Sequence, residues 1–320
     1  MTLFNKYDVM LAPMAGITTL PFRLICEKLG ADLTFCEMVS AAGMAHASAK
    51  THRLVETCDD EKTIGVQLFG HDPKTIAEQA CVISEELLSK LSHIDINMGC
   101  PARKIIKKGD GSALMKKQGV AANIVASVKE SVNCPVTVKF RRGFDLGEES
   151  CVEFAKRMED AGADAVCVHG RFAMQYYKGE SCTDAIARVK SAVDIPVIGN
   201  GDVFSAKDYA NMVSNTNCDA VLVARGASKN PFIFSEIKNY IATGELKSTD
   251  TSLRLEIACE HARLIEKLQN ENYFVSFLQF RKQAMNYIEG IPGARKARGL
   301  ICGCSCADDF ISVFDSLKVF

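Results

Sequence analysis

Eight short runs rich in Val and Ile, each followed by a segment of helical periodicity, predict an α/β fold, a (β/α)8 TIM barrel with a small C-terminal all-helical domain. The chain has 320 residues, 48% of them hydrophobic, enough for a barrel of ~250 residues and a remainder. Most of the runs are continuously apolar, as strands covered on both faces are. A doubly wound open sheet is the alternative, but no early GxGxxG follows the first run.

Strands are expected at 9–13, 34–39, 64–69, 93–98, 136–141, 165–170, 197–200 and 220–224. Helices are expected between them, at 20–29, 72–87, 121–132, 149–161, 184–193 and 206–213. Asp72 and Pro73 open the second of these, and Ile76, Ala80, Ile83 and Leu87 form its apolar stripe at 3.6 spacing. Asn-Cys-Pro-Val at 133–136 and Asp-Ile-Pro-Val at 194–197 lead from helix into strand, and Gly162 is a helix C-cap before the strand at 165. The barrel should end near Gly244, with a short polar linker to Ser252, giving domains 1–244 and 245–320. Apolar stripes at 253–268, 274–288 and 308–317, broken by Ile291-Pro292-Gly293, predict the helical domain, of a size that folds best packed on a larger partner.

Composition narrows the function. Net charge is −1, so any nucleic-acid contact must come from local patches. The start MTLFNKYDVM lacks the basic and apolar regions of a signal peptide, and no apolar run is long enough to cross a membrane. A cytoplasmic protein is expected, with its 14 scattered cysteines as reduced thiols. Cys302, Cys304 and Cys306 are dense, but the spacing is not that of zinc pairs and no partner pair follows. No HExxH, His–carboxylate cluster or Gly-x-Ser-x-Gly elbow is present, so neither a metal nor a serine nucleophile is expected.

Barrel chemistry sits at the C-terminal ends of the strands. The fourth run, Ile94 to Pro101, stops at a thiol, Cys100. A lone cysteine is ordinarily a small buried hydrophobe. Here it is one of a set of polar strand ends: Glu37, Gln67, Asn97, Lys139, Arg141, His169, Arg171, Asn200, Asp202 and Arg225. Singly, Gln67 satisfies a backbone group, Lys139 snorkels and His169 is a core histidine. Together they describe a site. The turns Gly199-Asn200-Gly201-Asp202-Val203 and Ala224-Arg225-Gly226-Ala227-Ser228 follow strands seven and eight, where barrels commonly hold a phosphate. A phosphorylated cofactor is expected, with Lys139 beside its ring and Gln67 and Asn200 at its polar edge.

These residues carry a resemblance. LAPMAGITTLPFR (11–23), GVQLFG (65–70), NMGCPARKIIKKGDGSALM (97–115), VKFR (138–141), VHGR (168–171), GNGD (199–202) and ARGASKNPFIF (224–234) make the chain resemble the tRNA-dihydrouridine synthases, and by spacing their bacterial B-type branch. The resemblance covers nearly the whole chain. It implies FMN in the barrel mouth, with Pro13, Met14 and Ala15 along the isoalloxazine and Gln67, Lys139 and His169 bonded to it. Asn200, Gly201, Asp202, Ala224, Arg225 and Gly226 would hold the phosphate region. NADPH or NADH would reduce the flavin, a hydride would pass to C6 of a tRNA uridine, and Cys100 would protonate C5. A thiol of ordinary pKa, about 8.5, is protonated at neutral pH and suited to act as an acid. Asn97 and Arg171, with Arg141 and Tyr176, would grip the uracil. Arg103, Lys104, Lys107 and Lys108, Arg281 and Lys282, and Arg295, Lys296 and Arg298 would form the RNA track of a monomeric enzyme. Gly109 to Ser112 would let the Cys100 loop move. Ala224 stands where the family usually has glycine, and the tryptophan usual after the Lys-Gly of 178–179 is absent. The alternatives are a barrel flavoprotein acting on a free pyrimidine and an RNA-binding barrel without turnover. The paired basics of the helical domain speak against the first, and Cys100 with Lys139 against the second.

Overall fold

The computed structural model describes residues 5–46 and 48–318. Its strands are β1 (Asp8–Leu11), β2 (Leu33–Phe35), β3 (Val39–Ser40), β4 (Ile64–Phe69), β5 (Leu91–Met98), β6 (Val136–Gly143), β7 (Ala165–Phe172), β8 (Val197–Asn200) and β9 (Ala220–Val223). Paired in the order β2-β1-β9-β8-β7-β6-β5-β4, all parallel, they close through β2–β4 into an eight-stranded barrel. β3 is an extra two-residue strand on β4. The run expected at 34–39 is therefore two strands. Cys36 N still donates to Gly65 O of β4 at 3.2 Å, but Glu37 and Met38 turn to other partners: the Glu37 carboxylate accepts from Gly16 N at 2.5 Å, and Met38 Sδ accepts from Asn97 Nδ2.

Alternation along each strand separates two layers. Outward residues are almost uniformly branched and apolar, such as Val66, Leu68, Ile94, Ile96, Val136, Val138, Val166 and Val168, and they meet the flanking helices in the main core. Inward residues are apolar on one side of the barrel, where Met10, Leu33, Phe35, Cys167, Ile198 and Leu222 cluster. Toward the C-terminal mouth they turn polar, as with Gln67, Asp95, Thr137, Asn97 and His169.

The helices follow the expected order. Pro73–Leu87 is capped by Asp72, whose carboxylate accepts from Thr75 N at 2.8 Å, and it buries Ile76, Ala80 and Ile83. Ile233–Thr243 ends in left-handed Gly244, close to the expected end of the barrel. Four helices follow: Thr251–Asn270, Phe277–Tyr287, Ala294–Ile301 and Ala307–Asp315. Ala294–Ile301 was not anticipated; Gly293, at φ 85°, redirects the chain and a new helix begins. The four bury Phe277, Phe280, Phe310 and Phe314 in a second core shared with Leu20, Ile25 and Phe232 of the barrel. Two amides of Phe277–Tyr287 hold barrel carbonyls: Gln283 Nε2 donates to Ile17 O at 2.9 Å, and Asn286 Nδ2 donates to Ser228 O at 2.6 Å. Among the described residues, no helix is long and apolar enough to cross a membrane.

Candidate active site at the barrel mouth

A cavity of about 410 Å³ opens at the C-terminal ends of the strands. Pro13, Met14, Ala15, Gln67, Asn97, Cys100, Lys139, Arg141, His169, Asn200, Gly201, Asp202, Ala224, Arg225 and Gly226 line it, and Lys282 reaches it from the helical domain. Parallel register makes this convergence unavoidable. Gln67 lies opposite Asp95, Asn97 opposite Lys139, Arg141 opposite His169 and His169 opposite Asn200, so inward residues rise around the barrel in step.

A buried network forms the floor. Asp95 accepts from Gln67 Nε2 and from Thr137 Oγ1, each at 2.6 Å. Gln67 Oε1 accepts from Asn97 Nδ2 at 2.7 Å, which fixes both amide orientations. Asn97 Oδ1 then accepts from Gly99 N at 3.1 Å and Cys100 N at 2.9 Å, so the floor sets the backbone that carries the thiol. Burial pushes the Asp95 carboxyl up to about 6, against the pull of Thr137, Gln67 and Lys139. Asp95 is a site residue that sequence reasoning missed. Its signal was an acidic residue within an apolar strand, a placement that proteins avoid unless it is paired.

Cys100 is half-buried at the end of β5. Burial raises its thiol above the ordinary value, opposed by the Ala102 N–H and the charges of Arg141, Lys139 and Lys104. Lys139 is lowered by burial and donates to Asn200 Oδ1 at 3.0 Å. Asn200 Nδ2 in turn donates to Leu222 O at 2.6 Å. Burial and the cations Arg141, Lys139, Arg171 and Arg225 push His169 well below the ordinary imidazole range, so its ring is neutral at neutral pH.

Several expected roles shift. Arg171 does not line the cavity: its guanidinium is taken by Asp202 at 2.5 Å and by the carbonyls of Lys178 and Gly179. Asp202 also binds Arg225 at 2.8 Å, so it ties two arginines together. Arg141 lines the cavity while supporting its wall, donating to Gly99 O at 2.9 Å, Phe172 O at 3.0 Å and Tyr176 O at 2.8 Å. Tyr177 rather than Tyr176 lines the cavity, because Tyr176 takes a left-handed φ of 53° that turns the chain there. The Arg225 guanidinium lies over the rings of Tyr177, at 4.9 Å, and Phe204, at 5.4 Å, a cation–π pair of contacts not foreseen from sequence. Gly226 has a packing reason: a Cβ there would sit 2.1 Å from the Val203 carbonyl. Arg103 and Lys104 lie on the short helix Arg103–Ile106, beyond Cys100 and outside the cavity lining. Arg281 also lies outside it, donating to Cys304 O and so securing the C-terminal segment. Among the described residues, no group of three or more His, Cys, Asp or Glu converges as a metal site.

A closed parallel barrel whose polar strand ends converge on one cavity defines an enzyme of the TIM-barrel class, with its chemistry at the C-terminal mouth. A family model described as "Dihydrouridine synthase (Dus)" matches residues 10–311. "tRNA-dihydrouridine synthase B" of Pseudomonas aeruginosa is 39% identical over 299 residues, covering 93% of this chain and 88% of the relative. "Probable tRNA-dihydrouridine synthase" of Rickettsia bellii is 36% identical over 315 residues, covering 98% and 94%. "tRNA-dihydrouridine synthase B" of Pseudomonas syringae is 37% identical over 293 residues, covering 91% and 86%. The chain belongs to the dihydrouridine synthase family, an oxidoreductase family, on its B-type bacterial branch.

Proposed function

We propose that the protein is an FMN-dependent tRNA-dihydrouridine synthase, reducing the C5–C6 bond of uridines in tRNA with NADPH or NADH. The observation that carries this reading is a half-buried thiol, Cys100, at the rim of a cavity that Lys139 and the two glycine turns also line, where burial favours the protonated form of the thiol. The cavity volume suits a cofactor site. The residues also fit FMN chemically. Gln67 Nε2 keeps one N–H beyond its bond to Asp95, and the Lys139 ammonium keeps donors beyond Asn200, which suits an acceptor-rich ring edge. Pro13, Met14 and Ala15 supply an apolar flank, and neutral His169 a further polar contact. At the opposite end, Gly201, Gly226 and Arg225, with Asn200, Asp202 and Ala224, suit a phosphate.

FMN, when bound, supplies the hydride that reaches C6. Cys100 gives its proton to C5 on the other side of the same bond, and the resulting thiolate is reprotonated from water. Burial holds that proton on sulfur through the neutral range, while Arg141 and Lys139 stabilise the thiolate once it forms. Arg141 lines the cavity and its Nη2 makes none of the three wall bonds, so it is our choice for the uracil edge, with Asn97 behind it. The uridine must leave its stack to enter. Arg103, Lys104, Lys107 and Lys108 on one side and Lys282 on the other would track the phosphates, from a monomer acting in the cytoplasm.

Reconstitution with FMN, followed by assay of tRNA lacking dihydrouridine, tests the reading. The wild type should turn yellow and form dihydrouridine. Cys100→Ala should keep FMN and its reduction but lose about 100-fold or more in product rate. A protein that binds no FMN and forms no dihydrouridine would sink it.

A further inference from the structure

We propose that His71 and Asp110 are positioning residues for Cys100, a latch fastening the loop behind the thiol to the turn after β4. The inference rests on the reading of Cys100 as the proton donor. Asp110 is almost fully buried, and its carboxylate meets His71 Nδ1 at 2.6 Å. A carboxylate is withdrawn from water only where it is paired. The partner is well anchored, because His71 immediately precedes Asp72, the cap of the buried helix Pro73–Leu87.

Asp110 has little slack toward Cys100. Gly111 follows it at φ 60°, where a Cβ would lie 2.9 Å from the Cys100 carbonyl oxygen and 3.2 Å from Cys100 Cβ. Ser112 N donates to the same carbonyl at 3.1 Å. Asn97 holds Cys100 N from inside the barrel, so the cysteine backbone is gripped at its N–H from the floor and at its C=O from segment 110–112. Between Cys100 and this segment lies the basic helix Arg103–Ile106, tied to it by Asp110 N donating to Ile105 O at 3.3 Å and Gly109 N to Ile106 O at 2.9 Å. Release of the latch frees one of these two grips and leaves the other.

The test is the rate at which iodoacetamide alkylates Cys100, followed on its own peptide with exposed Cys302 as internal reference. His71→Ala and Asp110→Ala should each speed alkylation about fivefold, and the double variant no further, since both remove one contact. His71→Asn, which places an amide donor where Nδ1 stands, should return the rate to within about twofold of wild type. Turnover should fall in parallel while FMN affinity stays unchanged. An unchanged Cys100 rate in His71→Ala, or additive effects in the double variant, would overturn the latch. The His71 side chain is largely exposed, so His71→Ala carries the test even if Asp110→Ala does not fold. Alkylation needs no turnover. Wild-type activity in Cys100→Ala would therefore remove the acid role and leave the latch to be judged on alkylation alone.

Discussion

The sharpest quantitative test lies in Asp95→Asn. Asp95 is buried, and its carboxyl is raised from 3.8 to about 6 by that burial. A raised carboxyl binds its proton more tightly in the folded chain than in the unfolded one. Its contribution to stability is therefore fully present below the unfolded value and is lost as pH rises through 6. The whole interval corresponds to about 3 kcal/mol, of which about half is lost between pH 5 and pH 7.5. Asparagine has no such titration. It keeps an acceptor for Thr137 but turns an NH2 toward Gln67 Nε2, placing two donors face to face at a pH-independent cost of about 1–3 kcal/mol. Urea unfolding of both proteins across this range, at unchanged m, gives the difference directly. Wild-type stability minus that of Asp95→Asn should fall by about 1–2 kcal/mol from pH 5 to pH 7.5. A difference that stays flat would refute the charge placed at the barrel floor.

Further outcomes follow from the same geometry. Burial holds the Cys100 thiol above its ordinary value, so single-turnover product formation should stay level through the neutral range and decline only in alkali as the acid is lost; a rise toward alkaline pH would indicate a thiolate nucleophile instead. Gly226→Ala drives a Cβ to 2.1 Å from the Val203 carbonyl and should cost about 1–3 kcal/mol in unfolding free energy, with weakened FMN binding in the same preparation. Glu61→Gln leaves Arg23 buried beside a lost charge 2.6 Å away and should cost about 3–5 kcal/mol. By contrast, Lys28→Ala at the exposed Lys28–Glu260 pair should cost under about 1 kcal/mol in the same unfolding assay. Lys104→Ala and Lys282→Ala should each reduce the salt slope of tRNA binding by about one; unchanged slopes would remove them from the RNA track.

The barrel is legible because its outer layer is written in contiguous Val, Ile and Leu, and because Asp72-Pro73, Asn-Cys-Pro-Val and Gly162 mark the joints. The break between Phe35 and Val39 is not legible, since Glu37 turns to Gly16 in the loop after β1 and Met38 to Asn97 on β5. Ala294–Ile301 escapes the apolar pattern because it buries only Ala294, Ala297 and Ile301 among its eight residues. Strand-end residues of the site could be read because strand position fixes their place. Loop residues could not. The choice between Tyr176 and Tyr177 turns on one left-handed residue, and the fate of Arg171 on a carboxylate 31 positions away. Asp95 stood in plain view, but its meaning needs Gln67 and Thr137 from the neighbouring strands.

Two amides at the joint between the barrel and its helical appendage grip main chain, beside the shared apolar core and the Lys28–Glu260 pair. Gln283 and Asn286 both hold carbonyl oxygens, those of Ile17 and Ser228. A carbonyl is the same acceptor whatever residue bears it. At these two contacts the barrel residue is thus free to change without loss of the bond, whereas the appendage must keep its two amides. Inheritance of the joint should therefore be lopsided, with substitutions accumulating at Ile17 and Ser228 and resisted at Gln283 and Asn286. Lineages that diverge at the surface can still hold Lys282 at the same distance from the mouth.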